Sequence, residues 1–274
     1  MIRLLQIELI KIWNSRSSRI LILSYFGLLT FLSLFSMIKI DFGDFEFHLA
    51  KQGIFDFPFI WHFNTFFADY FKLFLAVVIV SMIASEYSNK TLKQNLIDGL
   101  SKKEFILSKF LTVVLFALIS TVVVFVISMI LGLMYSTFNE IGIIFSQTEF
   151  LLAYFLKLVG FFSICLFFSV LTRKSAFSLG FLILWYVIEA IILGISHYND
   201  GALKPFTRFL PLEAMGNLIK QPFTRMSAIK EAANQVGINA NYNYAVQWTD
   251  IFITLGWTFI FIYLSYYLIK RRDL

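Results

Sequence analysis

Long apolar runs constrain this chain more than any other feature of its sequence. Each is long enough, at about 1.5 Å of helical rise per residue, to cross roughly 30 Å of hydrocarbon. Six runs qualify as predicted spans: 20–38, 66–85, 107–135, 150–171, 177–196 and 251–269. Charged residues make up only 15% of the 274, against about a quarter in soluble domains. The sequence therefore predicts an all-α polytopic membrane protein with six transmembrane helices, forming a single transmembrane domain over 1–274.

The basic residues predict the orientation of these spans. Thirteen Lys and Arg lie in one alternating set of segments, 1–19, 86–106, 172–176 and 270–274. Seven lie in the other set, 39–62, 136–149 and 197–248, although these contain more residues. Because basic loops stay on the cytoplasmic side, we expect both termini in the cytoplasm and 197–248 to be extracytoplasmic. The net charge of +6 is thus a sign of orientation and not of nucleic-acid binding.

The first 16 residues precede the first span and show a helical pattern. Ile2, Leu5, Leu9, Ile12 and Trp13 fall within one arc of about 100° on a helical wheel, with Arg3, Glu8, Lys11 and Asn14 elsewhere. This pattern favours an amphipathic interfacial helix over 1–16, lying on the inner leaflet. The alternative is a cytoplasmic extension of the first span.

A polar interruption, 86–104, separates the second and third spans. Thr91 with Gln94 predicts a capping box that opens a short helix ending at Gly99. Ser101 with Glu104 predicts a second capping box, which opens the third span. Two explanations remain open for the short helix: a docking element joined rigidly to two spans, or an interfacial helix held by anionic lipid headgroups.

The interruption resembles the loop between the second and third spans of ABC-2-type permeases, the membrane subunits of many bacterial ABC exporters. The matching positions are Glu86, Lys90-Thr91-Leu92, Leu96, Gly99, Ser101-Lys102 and Lys109. The chain departs from the family pattern in having Lys90 where Gly is usual and Gly99-Leu100 where Pro is often found. The N-terminal Glu8-Leu9-x-Lys11 followed by Arg16 also resembles the start of these permeases.

The resemblance implies an ATP-driven exporter that moves a hydrophobic or amphipathic substrate (lipid, drug or peptide) out of a bacterial cell across the cytoplasmic (inner) membrane. Two permease chains, as a homodimer or a heterodimer, would associate with two copies of a separate ATP-binding subunit. None of the 13 glycines is followed by Lys, as a phosphate-binding loop requires. We therefore expect no enzymatic activity and no cofactor in this chain, with ATP and Mg²⁺ bound by the partner ATPase.

The resemblance also implies that 86–104 forms a coupling helix seated in a groove of the ATP-binding subunit. Glu86 is expected to pair with a basic residue of that partner, and Leu92 and Leu96 are expected to fill its groove. The full set of coupling candidates is Glu86, Lys90, Thr91, Leu92, Leu96 and Lys102.

Ionisable residues within the spans are candidates for a pathway or a gate. Asp69 and Lys72 share a helix face and are expected to pair, either at the interface or within a pathway. Lys157 lies near enough to a span end to reach the interface. Glu189 lies near the middle of the fifth span, where a gating role and a buried structural hydrogen bond are both open. The competing function is an ATP-independent secondary transporter or channel that uses Asp69, Lys72 and Glu189.

The sequence favours neither catalysis nor a metal site. The three histidines, His48, His62 and His197, fall in separate predicted outer segments, away from the H-E-x-x-H spacing of zinc proteases. The long segment 197–248 contains helical patterns over 212–220 and 227–236, and it is expected to pack against the outer membrane surface.

Overall fold

The computed structural model describes residues 2–35, 39–42, 45–48, 53–138, 140–198, 204–225 and 243–272. Within these ranges the chain is helical except for one antiparallel hairpin, in which β1 (Lys39–Phe42) pairs with β2 (Phe45–His48). The predicted all-α class is therefore confirmed for the described residues, with the hairpin as a small addition between the first two spans.

The described residues contain twelve α-helical segments. The first half contains α1 (Ile2–Asn14), α2 (Arg16–Phe35), α3 (Phe59–Asp69), α4 (Lys72–Ser88), α5 (Thr91–Ile97) and α6 (Lys102–Tyr135). The second half contains α7 (Ile141–Ile144), α8 (Glu149–Thr172), α9 (Ser175–Tyr198), α10 (Lys204–Thr207), α11 (Pro211–Asn217) and α12 (Trp248–Arg271), with a 3-10 turn at Phe223–Arg225.

Four helical segments of the described chain are long and apolar enough to cross a membrane. They are α6, α7 together with α8, α9 and α12, and they coincide with the predicted third to sixth spans. The first predicted span, 20–38, is helical through Phe35, and its last residues lie outside the described part of the chain. The count of six spans stays a prediction.

The second span is not the continuous helix over 66–85 that the sequence predicted. It is a bent pair in which α3 and α4 meet at 47°. The backbone N–H groups of Tyr70 and Phe71 at the break donate to carbonyls three residues earlier, which tightens the turn. The pair counts as a fifth span if both helices belong to one crossing. The break falls between Asp69 and Lys72, so the charged pair marks the bend.

Helix α8 is the centre of the bundle, packed against α3, α4, α6, α9, α11 and α12. Leu158, Phe162, Leu166 and Val170 recur every four residues and are fully buried. The most apolar stretch of the α7–α8 segment is 78% buried within the described chain, against 33% for α6, 17% for α9 and 22% for α12, which identifies the fourth predicted span as the central one.

The outer segment was predicted to pack on the membrane surface, and the structure differs for the part of it that forms α11. Helix α11 lies inside the bundle, against α8, α9 and α12. Ala214 and Met215 on α11 are buried, and a Cβ added at Gly160 of α8 would lie 2.8 Å from the Met215 methyl group. The absence of a side chain at Gly160 admits α11 next to the middle of α8. The predicted helix 212–220 is shorter than expected, and 227–236 lies outside the described residues.

Candidate functional site

Five polar side chains from four helices meet beside the short helix α5, and we call this group the ionic junction: Glu8, Lys11, Glu86, Thr91 and Lys109. Lys109 Nζ lies 2.5 Å from Glu8 Oε2 and 3.0 Å from Glu86 Oε1. Lys11 Nζ donates to the same Glu86 oxygen at 2.9 Å and lies 3.6 Å from Glu8. The Thr91 hydroxyl donates to Glu86 Oε2 at 2.5 Å. The junction therefore connects α1, α4, α5 and α6.

Burial differs sharply between the two lysines of the junction. The Lys109 side chain is fully buried and both carboxylates are nearly so, whereas the Lys11 side chain is 41% exposed. Burial lowers the pKa of Lys11, but its hydrogen bond to Glu86 and the attraction of Glu8 outweigh this, so its pKa lies above the usual value. Two lysines balance two glutamates, which allows four charges to share a mostly buried site.

The start of α5 differs from the predicted capping box. Thr91 is already the first helical residue, so the Gln94 N–H donates to the Lys90 carbonyl and not to the Thr91 hydroxyl. The Thr91 hydroxyl instead donates to Glu86 Oε2. Lys90 precedes α5 in the left-handed conformation, with φ of 57°. This conformation favours glycine, which gives a physical reason for the Gly that is usual at this position in the resembling loops.

The remaining start and stop signals of this region are confirmed. Gly99 has φ of 99°, and the N–H groups of Gly99 and Leu100 donate to Leu96 and Asn95, which is a Schellman ending of α5. Ser101 and Glu104 form the predicted capping box at the start of α6, with reciprocal bonds of 3.1 and 3.0 Å.

The apolar side of α5 faces this chain and not a partner. Leu92 is 2% exposed within the main core, and Leu96 is partly buried against the same core. The expectation that Leu92 fills a groove of another subunit is therefore wrong, because its side chain already fills one here. Ile97 is 75% exposed, and Lys90 and Lys93 are exposed beside it. These three side chains and Gln94 are exposed on or beside α5.

Glu86 and Lys102 also have partners inside the chain. Glu86 was expected to pair with a partner subunit, but it is buried in the ionic junction. Lys102 Nζ donates to the backbone carbonyls of Lys270 and Arg272, and the Arg272 guanidinium donates to the carbonyls of Val170 and Leu171. These bonds connect the start of α6 to the ends of α8 and α12.

The predicted Asp69–Lys72 pair is present, and a third residue joins it. Lys72 Nζ lies 2.9 and 2.8 Å from the two Asp69 oxygens, and Lys157 Nζ lies 3.1 Å from one of them. Lys157 was expected to reach the interface, but its side chain is 6% exposed inside the bundle. Two buried lysines therefore share one aspartate.

Glu189 holds α11 in place. Its carboxylate accepts hydrogen bonds from the backbone N–H groups of Leu212 and Glu213 at 3.1 Å each and from Trp185 Nε1 at 2.5 Å. The first N–H groups of a helix have no partner within it, so a carboxylate at this position satisfies them. Of the two roles left open for Glu189, this geometry favours the buried structural hydrogen bond over gating.

Three charged residues were named in the sequence analysis but were not predicted to belong to these sites: Glu8, Lys109 and Lys157. On the helical wheel Glu8 fell outside the apolar arc of α1, yet it is 6% exposed. Lys109 lies in the apolar third span. Its position there could have predicted a buried acidic partner, because a buried cation requires a buried anion. In the described parts of the chain, no group of three or more His, Cys, Asp or Glu side chains could hold a metal ion.

Comparison with known proteins identifies one family. The profile described as ABC-2 family transporter protein matches residues 47–274, which include α3 to α12. No curated protein matches the chain.

Proposed function

This chain belongs to the ABC-2 family of transporter proteins, and from this premise we propose that it is the permease of an ATP-driven exporter in which α5 transmits movement from a separate ATP-binding subunit. Members of the family are membrane components of ABC transporters, which implies association with such a subunit. We propose two ATP-binding subunits, which bind ATP and Mg²⁺, and a second permease chain.

The ionic junction is the observation that carries this proposal. Force applied to α5 reaches α4 through the Thr91–Glu86 hydrogen bond and α6 through the Glu86–Lys109 ion pair. Buried, mutually satisfied charges hold a fixed geometry, because separating them exposes each to an apolar environment. A push on α5 therefore displaces two spans together with α1.

The docking surface on α5 is revised from the sequence prediction. We assign contact with the ATP-binding subunit to Ile97, Lys90 and Lys93, which are exposed. Thr91 and Glu86 transmit the movement, Leu92 anchors the helix, and Leu96 borders the docking surface. Lys102 fixes the neighbouring start of α6 to the end of α12. An exposed isoleucine flanked by two lysines suits a groove with an apolar floor and an acidic rim.

Orientation and substrate belong to the same proposal. Six spans with both termini in the cytoplasm place α5 beside a cytosolic motor, in agreement with the excess of basic residues in that set of loops. We propose outward movement of a hydrophobic or amphipathic substrate across a bacterial inner membrane. The ATP-independent transporter is less well supported, because Asp69 and Glu189 already have the partners expected of structural groups.

The test is co-purification of the full chain with its ATP-binding subunit from the native membrane in mild detergent. We expect a stoichiometric ATPase with the unmodified chain, and loss of at least about nine-tenths of it with Ile97→Asp, since a buried unpaired carboxylate at an interface costs several kcal/mol. Ile141→Asp is the matched control, because Ile141 is an isoleucine of nearly equal exposure (76%) on α7. Equal ATPase recovery with both variants would refute the assignment to α5.

A further inference from the structure

A cavity of about 750 Å³ lies where α3, α8 and α11 meet. Its wall combines two lysines, Lys157 and Lys220, with the apolar and aromatic side chains of Phe66, Ile219 and Tyr244. Sites for small molecules have volumes of about 300–1,000 Å³. The cavity is therefore large enough for a compact amphiphile, and the polar residues of its wall, besides the two lysines, are Glu213, Asn217, Gln221, Thr224 and Asn243.

Positive charge predominates around this cavity. Glu213 is the single carboxylate among its described lining residues, and its Oε1 accepts a hydrogen bond from Asn217. Lys220 Nζ donates to the neutral backbone carbonyl of Asn243. Behind the wall, Lys157 shares its one described anion, Asp69, with Lys72, which contacts both oxygens of that carboxylate.

The positive charge of Lys157 is not fully neutralised by the described acidic residues. Eight residues of α8 separate it from Glu149 at the helix start, which is about 12 Å of helical rise. A buried cation is stable when an anion compensates it fully. Asp69 supplies one negative charge to two buried lysines, so one positive charge is left next to the cavity among the described groups.

We infer that the cavity binds an amphiphile with an anionic oxygen headgroup, either a phosphate or a carboxylate. The headgroup neutralises the positive charge of Lys157, and the apolar part of the amphiphile contacts Phe66 and Ile219. This inference rests on the proposed transport function and narrows its substrate class. A second cavity of about 650 Å³ shares Glu213, Asn217 and Lys220 with the first and continues toward Arg208 and Asp250. The two cavities are therefore neighbours that share part of their walls.

The experiment measures binding of radiolabelled hexyl phosphate to the purified full chain in phosphatidylcholine nanodiscs, without any ATPase. Hexyltrimethylammonium is the probe of opposite charge. We expect saturable binding of hexyl phosphate and roughly tenfold or greater loss of affinity in Lys157→Gln, the effect of removing a charge-assisted hydrogen bond. Lys157→Arg keeps the charge and should retain binding within about threefold.

Lys103→Gln is the matched control, because it removes one positive charge from an exposed position at the start of α6. Size-exclusion profile and helical content verify that Lys157→Gln is folded, which we expect because Asp69 keeps Lys72 as its partner. Weaker binding of hexyl phosphate when the protein is placed in nanodiscs that contain phosphatidylglycerol would identify a lipid headgroup as the anion. Displacement of hexyl phosphate by inorganic phosphate would identify a soluble anion. Both results support anion recognition at Lys157.

Three results would overturn the inference: no saturable binding of hexyl phosphate, equal affinity in Lys157→Gln, or equal affinity for hexyltrimethylammonium. These results are independent of the co-purification test, since no ATPase is present. If the ATPase failed to co-purify while hexyl phosphate bound through Lys157, the coupling proposal would fail and the anion site would remain.

Discussion

Lys109 Nζ donates to Glu8 Oε2 at 2.5 Å across 101 residues of sequence. This bond fixes the N-terminal helix α1 against the long helix α6, and Glu86 then adds α4 to the same ammonium group. Under the proposed coupling, the N-terminal helix α1 would therefore move together with α4 and α6.

Replacing Lys109 should destabilise the chain far more than replacing Lys11. Lys109→Met leaves two buried carboxylates with one partly exposed lysine, and we expect a loss of about 3–5 kcal/mol in the free energy of unfolding. Lys11→Met should cost about 1 kcal/mol or less, because its ion pairs are screened by solvent. Unfolding in a denaturing-detergent titration measures both. Equal losses would show that burial of Lys109 does not set the energy of the ionic junction.

Glycine at position 90 should stabilise the chain. Lys90 has φ of 57°, and removing its Cβ relieves about 1 kcal/mol of backbone strain. Lys93→Gly removes the same charge from within α5 and should cost about 1 kcal/mol, because glycine is a poor helix former. Thermal unfolding of the two variants should therefore give shifts of opposite sign. A decrease in both would contradict the strained conformation of Lys90.

Loss of the Glu189 carboxylate should loosen α11. Glu189→Gln turns one acceptor oxygen into an NH₂ group that faces the N–H groups of Trp185, Leu212 or Glu213. The expected cost is about 1–3 kcal/mol, and amide hydrogen exchange over 211–217 should accelerate while the rest of the bundle is unchanged. Glu213→Gln is the control, because among the described residues its side chain accepts a hydrogen bond from Asn217 alone. Unchanged exchange in Glu189→Gln would leave gating as the better explanation of Glu189.

Substitution by alanine should change thermal stability in opposite directions at two glycines within the spans. A Cβ at Gly132 of α6 would collide with the Phe57 ring, so Gly132→Ala should lower thermal stability. At Gly180 of α9 no described atom lies within 4 Å of the added Cβ, and alanine should stabilise by up to about 1 kcal/mol through helix propensity. Thermal unfolding distinguishes the signs. Stabilisation by Gly132→Ala would show that Phe57 moves away at little cost.

Contacts between residues close in sequence were predictable, and contacts between different helices were not. The Ser101–Glu104 capping box needs residues three apart, and both of its bonds are present. Thr91 and Gln94 have the same spacing, but α5 begins one residue earlier than predicted, so the Gln94 N–H donates to the Lys90 carbonyl. Hydrophobic periodicity cannot reveal which charges meet, because pairing depends on how helices pack.

The charged residues within the spans show the same difference between local and tertiary contacts. Asp69 and Lys72 lie three residues apart, so their pairing followed from helix geometry, whereas the bend between them did not. Lys157 reaches Asp69 from a different helix, and α11 meets Glu189 because Gly160 leaves room for Met215. These contacts depend on the tertiary packing of α8, which no single segment specifies.

Helix α6 has 34 residues, about 51 Å of rise, against a hydrocarbon thickness of about 30 Å. It is a rod whose two ends project beyond the bilayer core, with Lys109 near one end and Gly132, against Phe57, near the other. Tilting such a rod by about 5° about its centre moves each end by roughly 2 Å in opposite directions. Under the proposed coupling, an ångström-scale shift at α5 would therefore produce a shift of similar size and opposite direction at the other end of α6.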